Sequence, residues 1–221
     1  MNNRSSQYSL LLLAGGKSSR MGSNKAELIY EGKTFADLLT EKAEKLGIKE
    51  IFVSGFEYRA KNEQNTADTL ATEIVDRNDV RHVHIIWDQY TDRGPLGGIH
   101  ACMKAMKTPF CLVLPVDAPK LPQNILEELI ERHETCRAGL SGEKEIPMIW
   151  EHDDRKEPLI AVYPVAMADA IGELIREKSA PVFRILDRWG YECYRLEMDK
   201  PQVINVNTPE LYKELIQNIE I

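Results

Sequence analysis

Long apolar runs are missing from this chain of 221 residues. A membrane-spanning helix needs roughly 20 consecutive apolar residues. The run at residues 10–14, with Tyr8 just ahead of it, is far shorter and ends in Gly15 and Gly16. It is also too short for the core of a secretory signal, so the expected compartment is the cytoplasm, with no membrane partner. Metal-binding spacings of cysteine and histidine are missing as well. Cys102, Cys111, Cys136 and Cys193 form no CxxC pair, and His82, His84, His100, His133 and His152 form no ligand pattern, which leaves zinc without a site. Cys102 and Cys111 lie among apolar neighbours and read as core thiols. Surplus positive charge is lacking: the formal net charge is −7, which excludes the basic face of a general nucleic-acid binder. A small anionic ligand is not excluded, because Lys17, Arg20 and Lys25 make the charge near the start locally positive. Aromatic residues are few, at 7%, and Trp87, Trp150 and Trp189 read as packing residues rather than stacking platforms.

What is present has the balance of an ordinary folded domain, with 43% hydrophobic and 29% charged residues. The length predicts one domain over residues 1–221, and no internal repeat or linker divides it. Strand and helix spacings alternate along the chain. Residues 9–14 read as a buried strand, followed by a glycine-containing loop to Lys25. Residues 34–46 carry Phe35, Leu38, Leu39 and Leu46 on one helical side, and Gly47 closes that helix. Strands are expected at 50–54, 83–87 and 110–116, the last buried on both faces. Residues 59–72 read as a polar surface segment, 88–98 as a loop, and 99–106 as the helix after it. Pro122 fits the first turn of a helix running to about Glu134. Strands at 147–150 and 159–163 flank a charged turn at 152–157. Helices at 166–178 and 181–188, short strands at 191–196 and 203–206, and a terminal helix at 208–219 complete the order, with Thr208 as N-cap and Pro209 at its first position. This alternation predicts an α/β architecture, a three-layer Rossmann-like domain with a mainly parallel sheet. Ligands of such sheets bind at the carboxyl ends of the strands.

Four strings carry chemistry. Leu13-Ala14-Gly15-Gly16-Lys17-Ser18-Ser19-Arg20-Met21-Gly22-Ser23-Asn24-Lys25 follows the first strand directly. Its three glycines let the backbone come close to a ligand and turn several N–H groups inward, a nest that binds anions. Arg20 offers a planar fork to phosphate oxygens, and Lys25 a mobile point charge. The string is neither a Walker A loop nor G-x-G-x-x-G. A flexible turn with solvated basic residues is the alternative, but every position fits the single task of holding a triphosphate. The second string is Asp88 followed by Asp92-Arg93-Gly94-Pro95-Leu96-Gly97-Gly98-Ile99. Pro95 fixes its backbone, and Gly97 and Gly98 admit a flat ligand; a tight β–α connection explains the same residues. The third, Leu114-Pro115-Val116-Asp117-Ala118-Pro119, ends an apolar strand in one carboxylate. Magnesium is typically held by one or two carboxylates plus substrate phosphates, whereas a bare turn cap would also use Asp117. The fourth, Asn205-Val206-Asn207-Thr208-Pro209-Glu210, sets two amides where they can hydrogen-bond a base or a pterin, while Thr208 caps a helix.

The first string resembles the signature L-A-[AG]-G-x-[SG]-x-R-[ML]-G-x-x-K of nucleotidyltransferases built on a Rossmann-like sheet, the nucleotide-diphospho-sugar transferase type. Gly15 in place of alanine, together with Gly94-Pro95-Leu96-Gly97-Gly98, is similar to the molybdenum cofactor guanylyltransferases. The resemblance runs from Leu10 to Leu211 in the family's order and includes Glu157-Pro158-Leu159-Ile160-Ala161-Val162-Tyr163 as the family's E-P-L-x-A-x-Y segment. It implies transfer of GMP from GTP to the phosphate of molybdenum-molybdopterin, with other proteins of that cofactor's biosynthesis as partners. It implies catalytic roles for Arg20, Lys25 and Asp117, and Mg²⁺ on Asp117. A nucleotide site would form from Leu13, Ala14, Gly15, Gly16, Lys25, Ser54, Asp88, Gly94, Pro95, Leu96, Gly97 and Asp117, and Asn205 and Asn207 would bind the acceptor. Arg155, Lys156 and Glu157 would meet the acceptor or form a solvated turn. The chain departs from the family at Val116 and Ala118, where guanylyltransferases often read C-D-T-P, and at Ser54, where they carry asparagine. Cytidylyl transfer to the same cofactor, nucleotide transfer to a sugar phosphate, and a non-catalytic nucleotide or cofactor carrier are the alternatives.

Overall fold

The apolar run near the start of the chain becomes the middle of a sheet. The computed structural model describes residues 4–14, 25–55, 71–74, 82–87, 90, 92–138, 144–196 and 205–217. Strand β1 (Tyr8–Leu13) is buried along its whole length, as a strand covered on both faces must be. After it come β2 (Ile29–Tyr30), β3 (Lys33–Thr34), α1 (Phe35–Lys45), β4 (Glu50–Ser54), β5 (Ala71–Ile74) and β6 (His82–Ile86). The order continues with α2 (Pro95–Ala105), β7 (Phe110–Pro115), α3 (Gln123–Ala138), β8 (Met148–His152) and β9 (Arg155–Pro164). It ends with α4 (Ala168–Glu177), α5 (Val182–Trp189), β10 (Glu192–Arg195) and α6 (Pro209–Gln217).

Among the described residues, eight strands form one sheet in the order β10-β8-β9-β7-β1-β4-β6-β5. The strands β7, β1, β4 and β6 lie parallel, side by side. Strand β5 is antiparallel to β6, β9 is antiparallel to both β7 and β8, and β10 is parallel to β8. The expected α/β class with a mainly parallel sheet is therefore what the chain adopts.

Side chains alternate across the strands and so divide the core into two layers. Leu10, Leu12, Leu112 and Leu114 face Phe35 and Leu39 of α1 and Ile125 and Leu129 of α3. Leu11, Leu13, Cys111 and Val113 face Leu96 and Ile99 of α2, Ile171 of α4 and Ile185 of α5. Helices thus cover both faces, and each fully buried leucine contributes ~2 kcal/mol relative to an exposed one. Cys102 and Cys111 are buried thiols of the second layer that form no disulfide, as expected of core residues. Burial pushes the Cys111 thiol above its ordinary range.

Local signals set several boundaries. Thr34 caps α1: its hydroxyl accepts from the Asp37 N–H at 3.0 Å and donates to the Asp37 carboxylate at 2.6 Å. Gly47, with φ +83°, takes the left-handed turn beyond the helix end. Three expectations need correction. Helix α2 starts at Pro95 rather than 99, because Gly94 turns the chain and Pro95 needs no donor in a first helical turn. The turn expected at 152–157 narrows to Asp153 and Asp154, both with positive φ, so β9 already begins at Arg155. Residues 205–207 form no strand, since the Val206 N–H makes a single bond beyond the end of β7 instead of a ladder; residues 203 and 204 lie outside the described residues.

The chain passes from β1 to β4 and β6 on one side, then returns to place β7 on the other side of β1. The strand order therefore reverses between β1 and β7, and such a point opens a crevice at the carboxyl ends.

Candidate active site

Parallel register brings three strand ends level. Leu13 pairs with Ser54 of β4 and with Pro115 of β7. Past the ladder, the Val116 N–H donates to the Leu13 carbonyl at 3.1 Å, so β7 is held against β1 to its last residue. Asp117 follows at once, at the switch point itself. Ser54 is buried at the end of β4, 1% exposed, and the next residue, Gly55, donates its N–H to the Ile86 carbonyl at 3.2 Å.

Lys25 reaches this point from the far side of the glycine-containing string. Its Nζ donates to Asp117 Oδ2 at 3.1 Å and to Asn207 Oδ1 at 2.5 Å. The Lys25 and Asp117 side chains are 20% and 19% exposed, partly withdrawn from water and reachable from the edge of the sheet. The two contacts use two of the three donors of an ammonium. The carboxyl-terminal segment is tied to the same place by its backbone, because the Val206 N–H donates to the Asp117 carbonyl at 2.7 Å. Residues from three distant parts of the chain thus meet around one ion pair.

The remaining expected residues distribute as follows. Leu13 is buried in the core at the end of β1, and Ala14 is half-buried just after it. Gly15, Gly16, Arg20 and Asp88 lie outside the described residues. Gly94, Pro95, Leu96 and Gly97 open α2 instead of forming a loop. Gly94 has φ +66° and ψ −160°, a conformation essentially restricted to glycine, and its carbonyl accepts from the Gly97 N–H at 3.1 Å. Leu96 and Gly97 are buried, while Gly94 and Pro95 are exposed. Asn205 and Asn207 are exposed on either side of buried Val206. Thr208 serves as the cap: its hydroxyl accepts from the Leu211 N–H at 3.3 Å. A backbone N–H at this helix start and the Thr208 hydroxyl hold the Glu210 carboxyl below its usual range. Arg155 is exposed, and Lys156 donates to the Tyr191 hydroxyl at 2.9 Å.

Two features were not anticipated. The strands β2 and β3 form a hairpin around Glu31 and Gly32, both with positive φ, the conformation of a two-residue type I′ turn. A glycine after a polar residue between short β-type stretches was the available signal. Tyr212 of α6 meets that hairpin: its hydroxyl accepts from the Ile29 N–H at 3.2 Å and donates to the Ile29 carbonyl at 2.9 Å. No sequence spacing announces a contact across 183 positions.

The donor set suits a hard cation. Asp117 offers carboxylate oxygen at a strand end, and Lys25 shows that the position already accommodates positive charge. Among the described residues no group of three or more His, Cys, Asp or Glu gathers as a cage. One protein carboxylate with substrate phosphates and water is the usual arrangement for magnesium. Among the described residues, too, no helix is long and apolar enough to cross a membrane.

Comparison with known proteins gives the arrangement its relatives. The family described as MobA-like NTP transferase domain matches residues 10–191. A molybdenum cofactor guanylyltransferase of Pseudomonas fluorescens is 30% identical over 204 residues, covering 92% of this chain and 90% of that protein. The crystal structure of molybdopterin-guanine dinucleotide biosynthesis protein A from Archaeoglobus fulgidus is 25% identical, with TM-score 0.68, covering 96% of this chain and 98% of that one. A 4-diphosphocytidyl-2C-methyl-D-erythritol synthase from Anaerococcus prevotii, 10% identical, shares the fold with TM-score 0.64 over 99% of this chain and 98% of that one.

Proposed function

This chain belongs to the MobA-like NTP transferase family, and from that premise we propose that it is a molybdenum cofactor guanylyltransferase. It transfers GMP from GTP to the terminal phosphate of molybdenum-molybdopterin and releases pyrophosphate. The observation that carries this reading is the meeting of Lys25, Asp117 and Asn207 at the switch point between β1 and β7.

The chemistry follows from what these groups offer. The attacking oxygen belongs to a phosphate dianion, which is already nucleophilic, so no side chain has to remove a proton. A new P–O bond forms at the α-phosphorus of GTP while its bond to the bridging oxygen breaks, and the electron pair leaves with pyrophosphate. The protein's task is positioning and charge stabilisation. The Lys25 ammonium stabilises negative charge on the phosphates, and Asn207 holds it in place. Arg20, with the N–H groups of Gly15 and Gly16, contributes the remaining positive surface for the triphosphate. Asp117 would hold Mg²⁺, which supplies neutralisation and alignment of the phosphate oxygens. Gly94, Pro95, Leu96 and Gly97 border the nucleoside together with Ser54 and Asp88, and Asn205 and Asn207 face the acceptor. Other proteins of molybdenum cofactor biosynthesis deliver that acceptor.

The test uses GTP labelled at its α-phosphorus, with molybdenum-molybdopterin and Mg²⁺. The account expects the label in a guanine dinucleotide of the cofactor and unlabelled pyrophosphate in equal amount. Label that stays in GTP would overturn it. Ser54 in place of the family's asparagine makes CTP the informative second nucleotide.

A further inference from the structure

We propose that Tyr212 is a positioning residue for nucleotidyl transfer: its hydroxyl clamps the segment behind Lys25 and so keeps the Lys25 ammonium on Asp117 and Asn207. The proposal rests on the transferase reading above.

Lysine is a poor fixed charge by itself, because its ammonium rides on a flexible four-carbon stem. The stem can be aimed only if the backbone that carries it is fixed. Behind Lys25 stands one short turn of 3₁₀ helix, Lys25–Glu27, closed by the Leu28 N–H on the Lys25 carbonyl at 3.2 Å. Leu28 is buried in the core, and its carbonyl accepts from the Phe35 N–H at 2.9 Å. The next residue, Ile29, is 49% exposed, yet both of its main-chain polar groups are taken by the single Tyr212 hydroxyl, at 3.2 and 2.9 Å.

Tyr212 is itself well held. Its ring stands edge-on to Phe35, with centroids 6.0 Å apart and planes at 73°. Its N–H donates to the Thr208 carbonyl at 3.1 Å, in the first turn of α6, directly after Asn207. Residues 25–29 and residues 207–212 are therefore joined twice, by Asn207 on the Lys25 side chain and by Tyr212 on the Ile29 backbone. Without the second joint, the first is one hydrogen bond to a flexible side chain. The partners of the hydroxyl are the main-chain groups of Ile29, four residues beyond Lys25, so its influence passes through Lys25.

The experiment compares the full chain with Tyr212→Phe, which keeps the ring against Phe35 and removes only the hydroxyl. The rate of reductive methylation at Lys25, read by mass spectrometry, needs no turnover and is expected to rise ~3-fold or more as the clamp opens. With GTP and acceptor, kcat is expected to fall ~10-fold with KM within ~2-fold, the pattern of a contact that matters in the transition state. In a Lys25→Met background the same substitution is expected to cost nothing further, because coupled residues are not additive. Leu129→Ala, on α3 in the same core layer, is the control: it loosens packing and lowers the melting temperature but leaves Lys25 methylation and kcat within ~2-fold. Unchanged methylation and kcat in Tyr212→Phe would overturn the proposal, and so would an equal loss in the Lys25→Met background. Faster methylation at Lys25 in a protein whose wild type shows no turnover would uphold the clamp and reject the transferase reading.

Discussion

Replacing Asp117 by asparagine separates what that side chain does for the fold from what it does for the reaction. The substitution keeps the size of the side chain and leaves the backbone carbonyl that accepts from Val206 at 2.7 Å. It removes the charge that Lys25 meets at 3.1 Å. With about one fifth of each side chain exposed, the pair lies between an exposed one, ~0–1 kcal/mol, and a buried one, ~3–5 kcal/mol when a partner is removed. A loss of ~1–2 kcal/mol is expected, and for a chain of this size that lowers the melting temperature by ~2–8 °C. The loss in activity should be much larger. A carboxylate that holds the cation at the phosphates stabilises charge developing in the transition state, and removing one preorganised group of that kind costs ~10²–10³-fold in kcat. The assay is pyrophosphate release at saturating GTP, beside a thermal melt of the same preparation. Retention of more than about a third of the wild-type kcat, against the loss expected for such a group, would refute the role of Asp117. A collapse of the melt by far more than ~8 °C would show it to be a structural support instead.

Two further outcomes follow from other parts of the molecule. Burial holds His133 down to about 4, with the nearby Arg137 guanidinium adding to the effect; its Nδ1 meets the Tyr8 hydroxyl at 2.9 Å, against Phe110. The unfolded chain, with an ordinary histidine value near ~6.5, binds the proton first, so stability is fully present above pH ~6.5 and falls as the pH drops toward ~4, by up to about 3 kcal/mol. Chemical denaturation at a series of pH values checks this, and a His133→Asn variant should lose that part of the slope. Among the described residues, the methyl added by Gly94→Ala meets the Ser179 hydroxyl at 3.9 Å, an ordinary contact, so backbone strain at φ +66° is the cost expected, ~1–3 kcal/mol. It is expected to fray the start of α2 and raise KM for GTP, and an unchanged melt would contradict the conformation assigned to Gly94.

Much of the fold was legible in the chain because local signals and burial agree. The run at Tyr8–Leu13, the helical side carrying Phe35 and Leu39, Gly47 and the apolar stretch at Phe110–Pro115 each state one thing at every level. Strand β5 was not legible: Ala71–Ile74 is a short antiparallel edge strand following a polar stretch, where pairing with β6 decides the conformation and the side chains do not announce it. The first turn of α2 was misread because Gly-Pro and Gly-Gly are punctuation in a loop and equally serve a helix start packed close to a sheet. Strand β9 outran its expected start because the register of β8 and β9 shifts between Ile149 and Trp150, which breaks simple alternation. For the site, family resemblance named Lys25, Asp117 and Asn207, and the fold brings them together across 92 and 182 positions. Spacing alone carries no information about contacts so distant. Lys25 engages Asp117 in place of standing as a mobile charge, and its contact with Asn207 and the Tyr212 contact with Ile29 depend on how the carboxyl-terminal segment returns to the sheet.

The most direct test of the account is pyrophosphate release by the purified wild-type protein with Mg²⁺ and molybdenum-molybdopterin, with GTP and CTP run side by side. The account predicts release with GTP, matched by formation of the guanine dinucleotide, and little with CTP. Release with CTP in preference to GTP, or with neither nucleotide, would contradict it.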